Sequence, residues 1–445
     1  MSFIDRPKYT CALGGAIATI AALPDTVPIV HASPGCGLNL GYAADAGGGY
    51  AGYGYCGGGA LPSSNVIESQ VVFGGEDRLT EQIERTVEVV DGQLYFVITG
   101  CMVEMIGDDI YGSVSRADVG DAEVIFAETG GFRGNSYKGY DIALSALFRG
   151  FVSKGLKKDA KTVNVFGLPP SHDVFLEGNL SNIKELLAKL GVKANTIFGE
   201  TDTLDDLRRS SEASLNIVLS DRFGIDSAAV FEQVHETPYI TTGLPVGAHQ
   251  TALFLRQVAR ALSLDKDAVE KLIADETSLY FKRFVHFANL YNDYDTQRYV
   301  IIVGDSNIAP AVAKFAADDL GFLPEIAIIN DIITDDEKQK VIDRFEQGRE
   351  GIIPEIVFTP HVSEILPAIK RHWQLDRNQP YYDSMTPAVI IGSTFEVDLA
   401  QDLGLPLLPA AYPVTNRVVV KRGYAGFEGG IALAEDLLTT IISNR

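Results

Sequence analysis

The chain has 445 residues, of which 46% are hydrophobic and 22% charged, with a formal net charge of −22. That length calls for two to four domains, the composition excludes long disordered stretches, and so acidic a balance argues against nucleic acid as a partner, because phosphate binding needs clustered Lys and Arg. An acidic surface suits docking to a complementary protein.

The opening Met1-Ser2-Phe3-Ile4-Asp5-Arg6-Pro7-Lys8 is polar and broken by proline, so no secretory leader is read. The apolar stretch from Ala12 to Leu23 is too short and too Gly-containing to span a bilayer. No membrane contact and a cytoplasmic location are expected. In that compartment the four cysteines at 11, 36, 56 and 101 are more naturally free thiols or metal ligands than disulfides.

After Cys11, Ala12 to Leu23 reads as a helix stopped by Pro24, with Gly14, Gly15 and Ala16 leaving room for close approach to the backbone. A strand, Thr26 to His31, leads to a loop carrying Cys36. Residues 46–59 are Gly-rich with three tyrosines and Cys56. Such composition makes either a flexible loop or a segment ordered by its tyrosines against a partner. Pro62-Ser63-Ser64-Asn65 reads as a helix cap before a charged turn at Glu68, and a helix from about Glu76 to Val89 precedes a strand, Tyr95 to Thr99, that ends at Cys101. Val103 to Asp109 reads as a helix start whose amino end favours a thiolate at Cys101. A further strand, Val124 to Ala127, precedes Glu128-Thr129-Gly130-Gly131-Phe132-Arg133-Gly134.

Two more β-α blocks follow. The first has strands near 163–166, 194–197, 215–219 and 239–241, helices near 182–190 and 204–209, and a long helical stretch from His249 to about Asn292. The second has strands near 299–303, 325–329, 355–358 and 388–391, a helix from Ile308 to Leu320 and a final helix from Gly430 to Ile442. Repeated β-α-β units predict an α/β protein of three open, mostly parallel, Rossmann-like sheets, with domains at 1–160, 161–297 and 298–445.

The chemistry centres on Cys11, Cys36 and Cys101, each opening or bordering a turn, the latter two just past strand ends where open α/β sheets place ligands. Their wide spacing is unlike a zinc finger. It suits an iron–sulfur cluster held by a whole domain or shared between chains, while buried inert cysteines also account for it. Cys56 matches no similar turn. His31 at a strand end is expected to be satisfied by backbone, and His361 and His372 to lie at the surface. Glu104, Asp108 and Asp109 read as a solvated helix start rather than a divalent-metal site. Gly304-Asp305-Ser306-Asn307 follows a strand, yet no Walker lysine or GxGxxG accompanies it, and Ser63-Ser64 has no triad partners at recognisable spacing.

Tyr9-Thr10-Cys11-Ala12-Leu13, His31-Ala32-Ser33-Pro34-Gly35-Cys36, Ser63 to Glu68, Val72-Phe73-Gly74-Gly75 and Cys101 to Asp109, in that order, closely resemble the β-subunit family of nitrogenase component 1. The resemblance implies that Cys11, Cys36 and Cys101 are this chain's half of the ligand set of a P-cluster-type [8Fe-7S] iron–sulfur cluster shared with a homologous α subunit in an α2β2 assembly. Amides near Gly14, Gly35 and Gly100 would tune it. It further implies electrons from an ATP-dependent iron protein, and a larger iron–sulfur catalytic cofactor in the α subunit. Departures from the dinitrogen-reducing members are glycine in Glu128-Thr129-Gly130-Gly131-Phe132 where a serine often stands, a short segment before Cys11, the Gly/Tyr stretch, and the Thr-Cys-Ala-Leu form at Cys11. They point toward a nitrogenase-like reductase of the methylthio-alkane type, which cleaves C–S bonds. The alternatives are a dinitrogen-reducing nitrogenase β subunit, a tetrapyrrole reductase subunit, or a non-catalytic cofactor-assembly scaffold.

Overall fold

A computed structural model of the chain describes residues 4–49, 61–170, 172–293, 298–349, 351–373 and 387–443. Residues 50–60, which hold most of the Gly/Tyr stretch and Cys56, lie outside the described residues.

Twelve described strands form three all-parallel sheets. The first holds β1 (Thr26–His31), β2 (Leu94–Thr99) and β3 (Glu123–Ala127) in the order β1-β2-β3. Its helices are α1 (Ala12–Ala21), α2 (Cys36–Ala46), α3 (Glu68–Phe73), α4 (Glu76–Val89), α5 (Cys101–Ile106), α6 (Ile110–Arg116) and α7 (Ser136–Gly150). The two-residue period of a strand sorts its side chains between two layers. Val27, Ile29, Tyr95 and Val97 pack with Leu79, Ile83 and Ile110, while Val30, Phe96 and Ile98 join the main core with Leu13, Ile17 and Leu144. Both faces are covered, which is why these strands read as continuous apolar runs.

The second sheet has the order β5-β4-β6-β7, with β4 (Asp159–Phe166), β5 (Lys193–Asn195), β6 (Ala213–Val218) and β7 (Tyr239–Thr241). Around it lie α8 (Leu176–Lys189), α9 (Leu204–Arg208), α10 (Ile225–His235), α11 (Gly247–Ala261) and α12 (Lys266–Asp293). The long helical stretch expected from His249 is thus two helices. The break falls where Ser263 takes a positive φ of 53° and Asp265 Oδ1 accepts from the backbone N–H of Asp267 at 2.9 Å, starting a new helix.

The third sheet runs β10-β9-β8-β11-β12, from β8 (Tyr299–Gly304), β9 (Leu323–Ile329), β10 (Glu355–Phe358), β11 (Val389–Gly392) and β12 (Leu407–Pro409). It carries α13 (Ile308–Asp318), α14 (Asp335–Glu346), α15 (Val362–His372) and α16 (Val397–Leu403). The last helix, α17 (Gly426–Ser443), touches β12 of this sheet and packs on α8, α11 and α12. Its approach is marked by glycines: a Cβ on Gly178 would lie 2.3 Å from the Gly423 nitrogen. Asn179 Oδ1 accepts from the N–H groups of Tyr424 (2.7 Å) and Ala425 (2.9 Å).

Residues 62–66 do not cap a helix. They run extended beside β1, with Val30 N–H donating to Pro62 O at 2.8 Å and Ser64 N–H to Val30 O at 3.0 Å. The helix starts only at Glu68.

Candidate iron–sulfur ligand edge

The register of the first sheet builds the site. His31 pairs with Thr99, and Ile98 with Ala127, so the chain leaves all three parallel strands at one edge. The loops that start there carry Cys36, Cys101 and the 128–133 turn. Each cysteine stands at the start of a helix: Cys11 is the N-cap of α1, Cys36 the first residue of α2 and Cys101 the first residue of α5. Cys11 also bridges to Asn135 in antiparallel fashion, which ties it to the residue capping α7, whose side chain accepts from Lys138 N–H. All three are free thiols, Cys101 exposed and the other two half-buried.

Gly131 shows how closely two of them converge. A Cβ built there would lie 3.1 Å from Cys101 Sγ and 3.4 Å from Cys11 Sγ, and its N–H donates to Cys101 Sγ at 3.0 Å. Cys36 sits on the neighbouring loop, its Sγ 3.6 Å from Ser33 Oγ. Among the described residues the Gly131 amide, from a loop with no cysteine of its own, donates to the Cys101 sulfur. Gly15 takes a different partner: its Cβ would meet the Ser136 carbonyl oxygen at 1.9 Å, so the close approach that the glycines permit is that of α7.

Beneath this edge the polar residues are buried and paired, contrary to the solvated helix start expected of Glu104, Asp108 and Asp109. His31 has no exposed surface. Its Nδ1 lies 2.9 Å from Ser64 Oγ and its Nε2 3.0 Å from Asp108 Oδ2, so side chains, not backbone, satisfy it. Burial holds the imidazole below the usual histidine range, against the opposing pull of Asp108. Asp108 Oδ1 accepts from Gly75 N–H at 2.9 Å. Glu104, with its side chain 5% exposed, accepts from Thr99 Oγ1 and Gly130 N–H, each at 2.5 Å, and from Arg133 Nε at 2.7 Å. Only Asp109 behaves as read, capping α6 by accepting from Gly112 N–H at 2.8 Å. In the third block His361 and His372 are partly exposed and face Asp5 and Glu325.

The rim of the cysteine edge is apolar. The adjoining helices α3 and α5 expose Val72, Phe73, Met102 and Met105, and the 128–133 loop exposes Phe132, with Phe73 88% accessible. Large exposed apolar side chains gathered at one edge are the mark of a surface that a partner covers.

The segment before Cys11 is anchored elsewhere. Lys8 Nζ donates to Glu396 Oε1 at 3.0 Å and Ser393 Oγ at 3.2 Å, all three buried, and the Tyr9 hydroxyl lies 3.3 Å from the Asn330 side-chain amide. Tyr9 leads into the junction where the carboxyl ends of the second and third sheets meet α7. It stacks with His172 and Tyr412 at centroid separations of 5.7 and 6.2 Å and meets Tyr137 at a tilt of 49° and 4.8 Å, and Tyr137 lies on Phe223 at 3.9 Å. Tyr137, His172, Phe223 and Tyr412 leave a cavity of about 30 Å³ lined also by Asp173 and Asp305. Burial, reinforced by Asp331, raises Asp305 to about 7. Its Oδ1 accepts from the N–H groups of Asn307 and Ile308 at 2.7 and 2.8 Å, so the helix end after β8 is occupied by its own carboxylate and not open to a phosphate. Sequence reading missed this junction and the Glu104 contacts, because the rings of the junction come from distant parts of the chain and Glu104 takes two of its three donors, Gly130 and Arg133, from 26 and 29 positions away.

The family model described as nitrogenase component 1 type oxidoreductase matches residues 11–442. The chain is 23% identical to the nitrogenase molybdenum-iron protein beta chain of Methanococcus maripaludis, over 98% of this chain and 94% of that one. It is 21% identical to the vanadium-iron protein beta chain of Trichormus variabilis, over 99% and 94%. A light-independent protochlorophyllide reductase chain from Picosynechococcus is 23% identical, over 84% of this chain and 72% of that one. A solved structure of nitrogenase Cp1 at pH 6.5 superposes with a TM-score of 0.79 and 18% identity, covering 100% of this chain and 94% of the other.

Proposed function

The chain belongs to the nitrogenase component 1 type oxidoreductases and is an oxidoreductase subunit of their β type; from that premise we propose that it carries electrons to a catalytic centre held by another chain. In this reading Cys11, Cys36 and Cys101 hold this chain's half of a P-cluster-type [8Fe-7S] cluster, shared with a homologous α subunit in an α2β2 complex. Electrons come from an ATP-dependent iron protein, and the larger iron–sulfur catalytic cofactor sits in the α subunit.

The observation that carries the reading is the approach of Cys101 Sγ and Cys11 Sγ to the same glycine, 3.1 and 3.4 Å from a Cβ built at Gly131. Three free thiols at one strand edge supply the soft donors that iron–sulfur clusters take. Among the described residues no three His, Cys, Asp or Glu side chains close on a single ion, and a polynuclear cluster does not need them to. When bound, such a cluster accepts and passes on electrons one at a time. The chain's own contribution is to hold the thiols, to aim the Gly131 N–H at one of them, and to offer an apolar rim that an α subunit would cover, keeping water from the cluster. The 445-residue sequence has no cysteine after Cys101 with which to anchor a larger cofactor, which supports placing that cofactor in the partner.

For the reaction we propose reductive cleavage of methylthio-alkanes. One C–S bond breaks, one C–H and one S–H bond form, and two electrons and two protons are consumed, the electrons supplied by the iron protein. The glycines at 130–131 and the Thr-Cys-Ala-Leu form at Cys11 support this reading over dinitrogen reduction. The second reading, a dinitrogen-reducing β subunit, is favoured by the near-full-length match to two nitrogenase beta chains. The test is anaerobic co-purification with the α subunit and the iron protein, followed by ATP-dependent turnover of dinitrogen and of a volatile methyl sulfide in separate vessels. Methanethiol and hydrocarbon without ammonia support C–S reduction. Ammonia establishes the second reading. A fully loaded complex that turns over neither would make the chain an assembly scaffold. In the same complex Cys36→Ala or Cys101→Ala strips the interface iron and abolishes turnover, and full activity in either refutes the ligand assignment.

A further inference from the structure

The 128–133 loop reaches Cys101 from the neighbouring strand, and one buried carboxylate fixes where it lands. Thr99, at the end of β2, and Thr129 lock the loop to the strand: Thr99 N–H donates to Thr129 Oγ1 at 3.1 Å, Thr129 N–H to Thr99 Oγ1 at 3.0 Å, and Thr129 O–H to Thr99 O at 2.8 Å. Glu104, one turn along α5 from Cys101, then accepts from Thr99 O–H, Gly130 N–H and Arg133 Nε, and Arg133 pairs in turn with Glu128. The amide that Glu104 grips is that of Gly130. The next amide along the chain, Gly131 N–H, is the one that donates to Cys101 Sγ at 3.0 Å.

A hydrogen bond to a metal-bound thiolate withdraws electron density from sulfur and favours the reduced metal centre, one of the levers by which surroundings set cluster potentials. We propose that Glu104 is a positioning residue that holds the Gly131 N–H on the Cys101 sulfur and so sets the reduction potential of the cluster that Cys101 ligates. The proposal rests on the ligand reading of Cys101. It also accounts for glycine at 131, since a Cβ would lie 3.1 Å from both Cys101 Sγ and Cys11 Cβ and push the amide off the sulfur.

Loss of the Glu104 charge by itself would raise the potential, so the comparisons hold charge constant. Glu104→Ala and Glu104→Gln both remove the charge, but Gln keeps an oxygen that can accept from Thr99 and Gly130. Glu104→Asp and the wild type both keep the charge, but Asp falls one methylene short. Each variant is prepared as the anaerobic complex with the α subunit, its iron content is measured, and the interface cluster is titrated by EPR at set potentials. The expected result is that Ala lies below Gln, and Asp below wild type, by about a tenfold change in the oxidised-to-reduced ratio at fixed solution potential, about 59 mV for one electron. Iron content stays at the wild-type level in Gln and Asp. Coincident potentials within both pairs overturn the proposal, and the Asp pair decides it if the Ala variant does not retain iron. Cys101→Ala serves as the separate control. Retained iron there overturns the ligand reading, whereas lost iron there with coincident Glu104 potentials overturns the positioning role alone.

Discussion

Cys11 owes its place to a helix crossing with no room in it, and the substitution Gly139→Ala tests that. On α7 a Cβ at Gly139 would lie 1.9 Å from the Ala12 carbonyl oxygen and 2.9 Å from the Ala16 nitrogen. At the same crossing a Cβ at Gly15 of α1 would lie 1.9 Å from the Ser136 carbonyl oxygen. Backbone thus meets backbone on both sides, and relief needs the helices to part by more than about 1 Å, a shift that close-packed interiors resist. Alanine gains about 1 kcal/mol over glycine in a helix interior, and overpacking costs about 1–3 kcal/mol and more where backbone is the obstacle. The net expectation is a loss of about 2 kcal/mol, with Cys11 displaced from Cys101. Gly150→Ala on the same helix is the control, because its Cβ meets only Ile125 at an ordinary 3.5 Å; there the helix-propensity gain stands alone. Urea unfolding followed by far-UV dichroism, together with iron content of the assembled complex, reads both. Gly139→Ala should lower both the midpoint and the iron content, while Gly150→Ala holds or raises the first and leaves the second. Equal midpoints and equal iron in the two variants would refute the argument from close approach.

Three other substitutions probe the polar interior. Asp305 keeps its proton to about pH 7 when folded, against a reference value of 3.8, so its stabilising contribution is full below about pH 3.8 and is lost as pH rises to 7. Asp305→Asn retains the oxygen that accepts from Asn307 and Ile308 and should gain on wild type by on the order of 4 kcal/mol between pH 4 and pH 8; a pH-independent difference in urea midpoints would sink this account. Lys8→Met leaves Glu396, whose side chain is fully buried, without its partner and should cost about 3–5 kcal/mol, much of it recovered by adding Glu396→Gln in a double-mutant cycle. Asp108→Ala strips acceptors from His31 Nε2 and Gly75 N–H and should cost about 2–5 kcal/mol, with Asp108→Asn milder because one oxygen remains for Gly75; equal thermal midpoints for the two would contradict it.

What the sequence made legible follows from locality. Buried parallel strands leave β-branched runs that stand out without any knowledge of their neighbours, so Thr26–His31, the run ending at Thr99, and Tyr239–Thr241 fall where expected, and with them the two cysteines just beyond strand ends. Helix α4 is found at Glu76–Val89 because its apolar face alternates with charge. The helices at 136–150 and 225–235 left no reading, since small residues and polar positions blur their periodicity. Side-chain partners are the larger loss. His31 finds Ser64 and Asp108, 33 and 77 positions away, and Lys8 finds Glu396, 388 positions away; no local signal announces such pairs. The Gly130-Gly131 dipeptide stood out only as a departure from a serine, whereas its role in contact with two sulfurs emerges once β2 and β3 lie side by side.

The return of α17 to the second sheet's helices has a consequence for biosynthesis. A ribosome releases α8 and α11 long before residue 426, yet Asn179 awaits the amides of Tyr424 and Ala425, and Gly430 packs against Gly247 with only 2.6 Å to spare for a Cβ. The faces of α8, α11 and α12 that α17 covers therefore stay exposed until the chain beyond residue 426 has emerged. A nascent chain in this state is a natural client for holding chaperones. A stop codon placed just before Gly426, which removes α17, should yield aggregated rather than merely shortened protein.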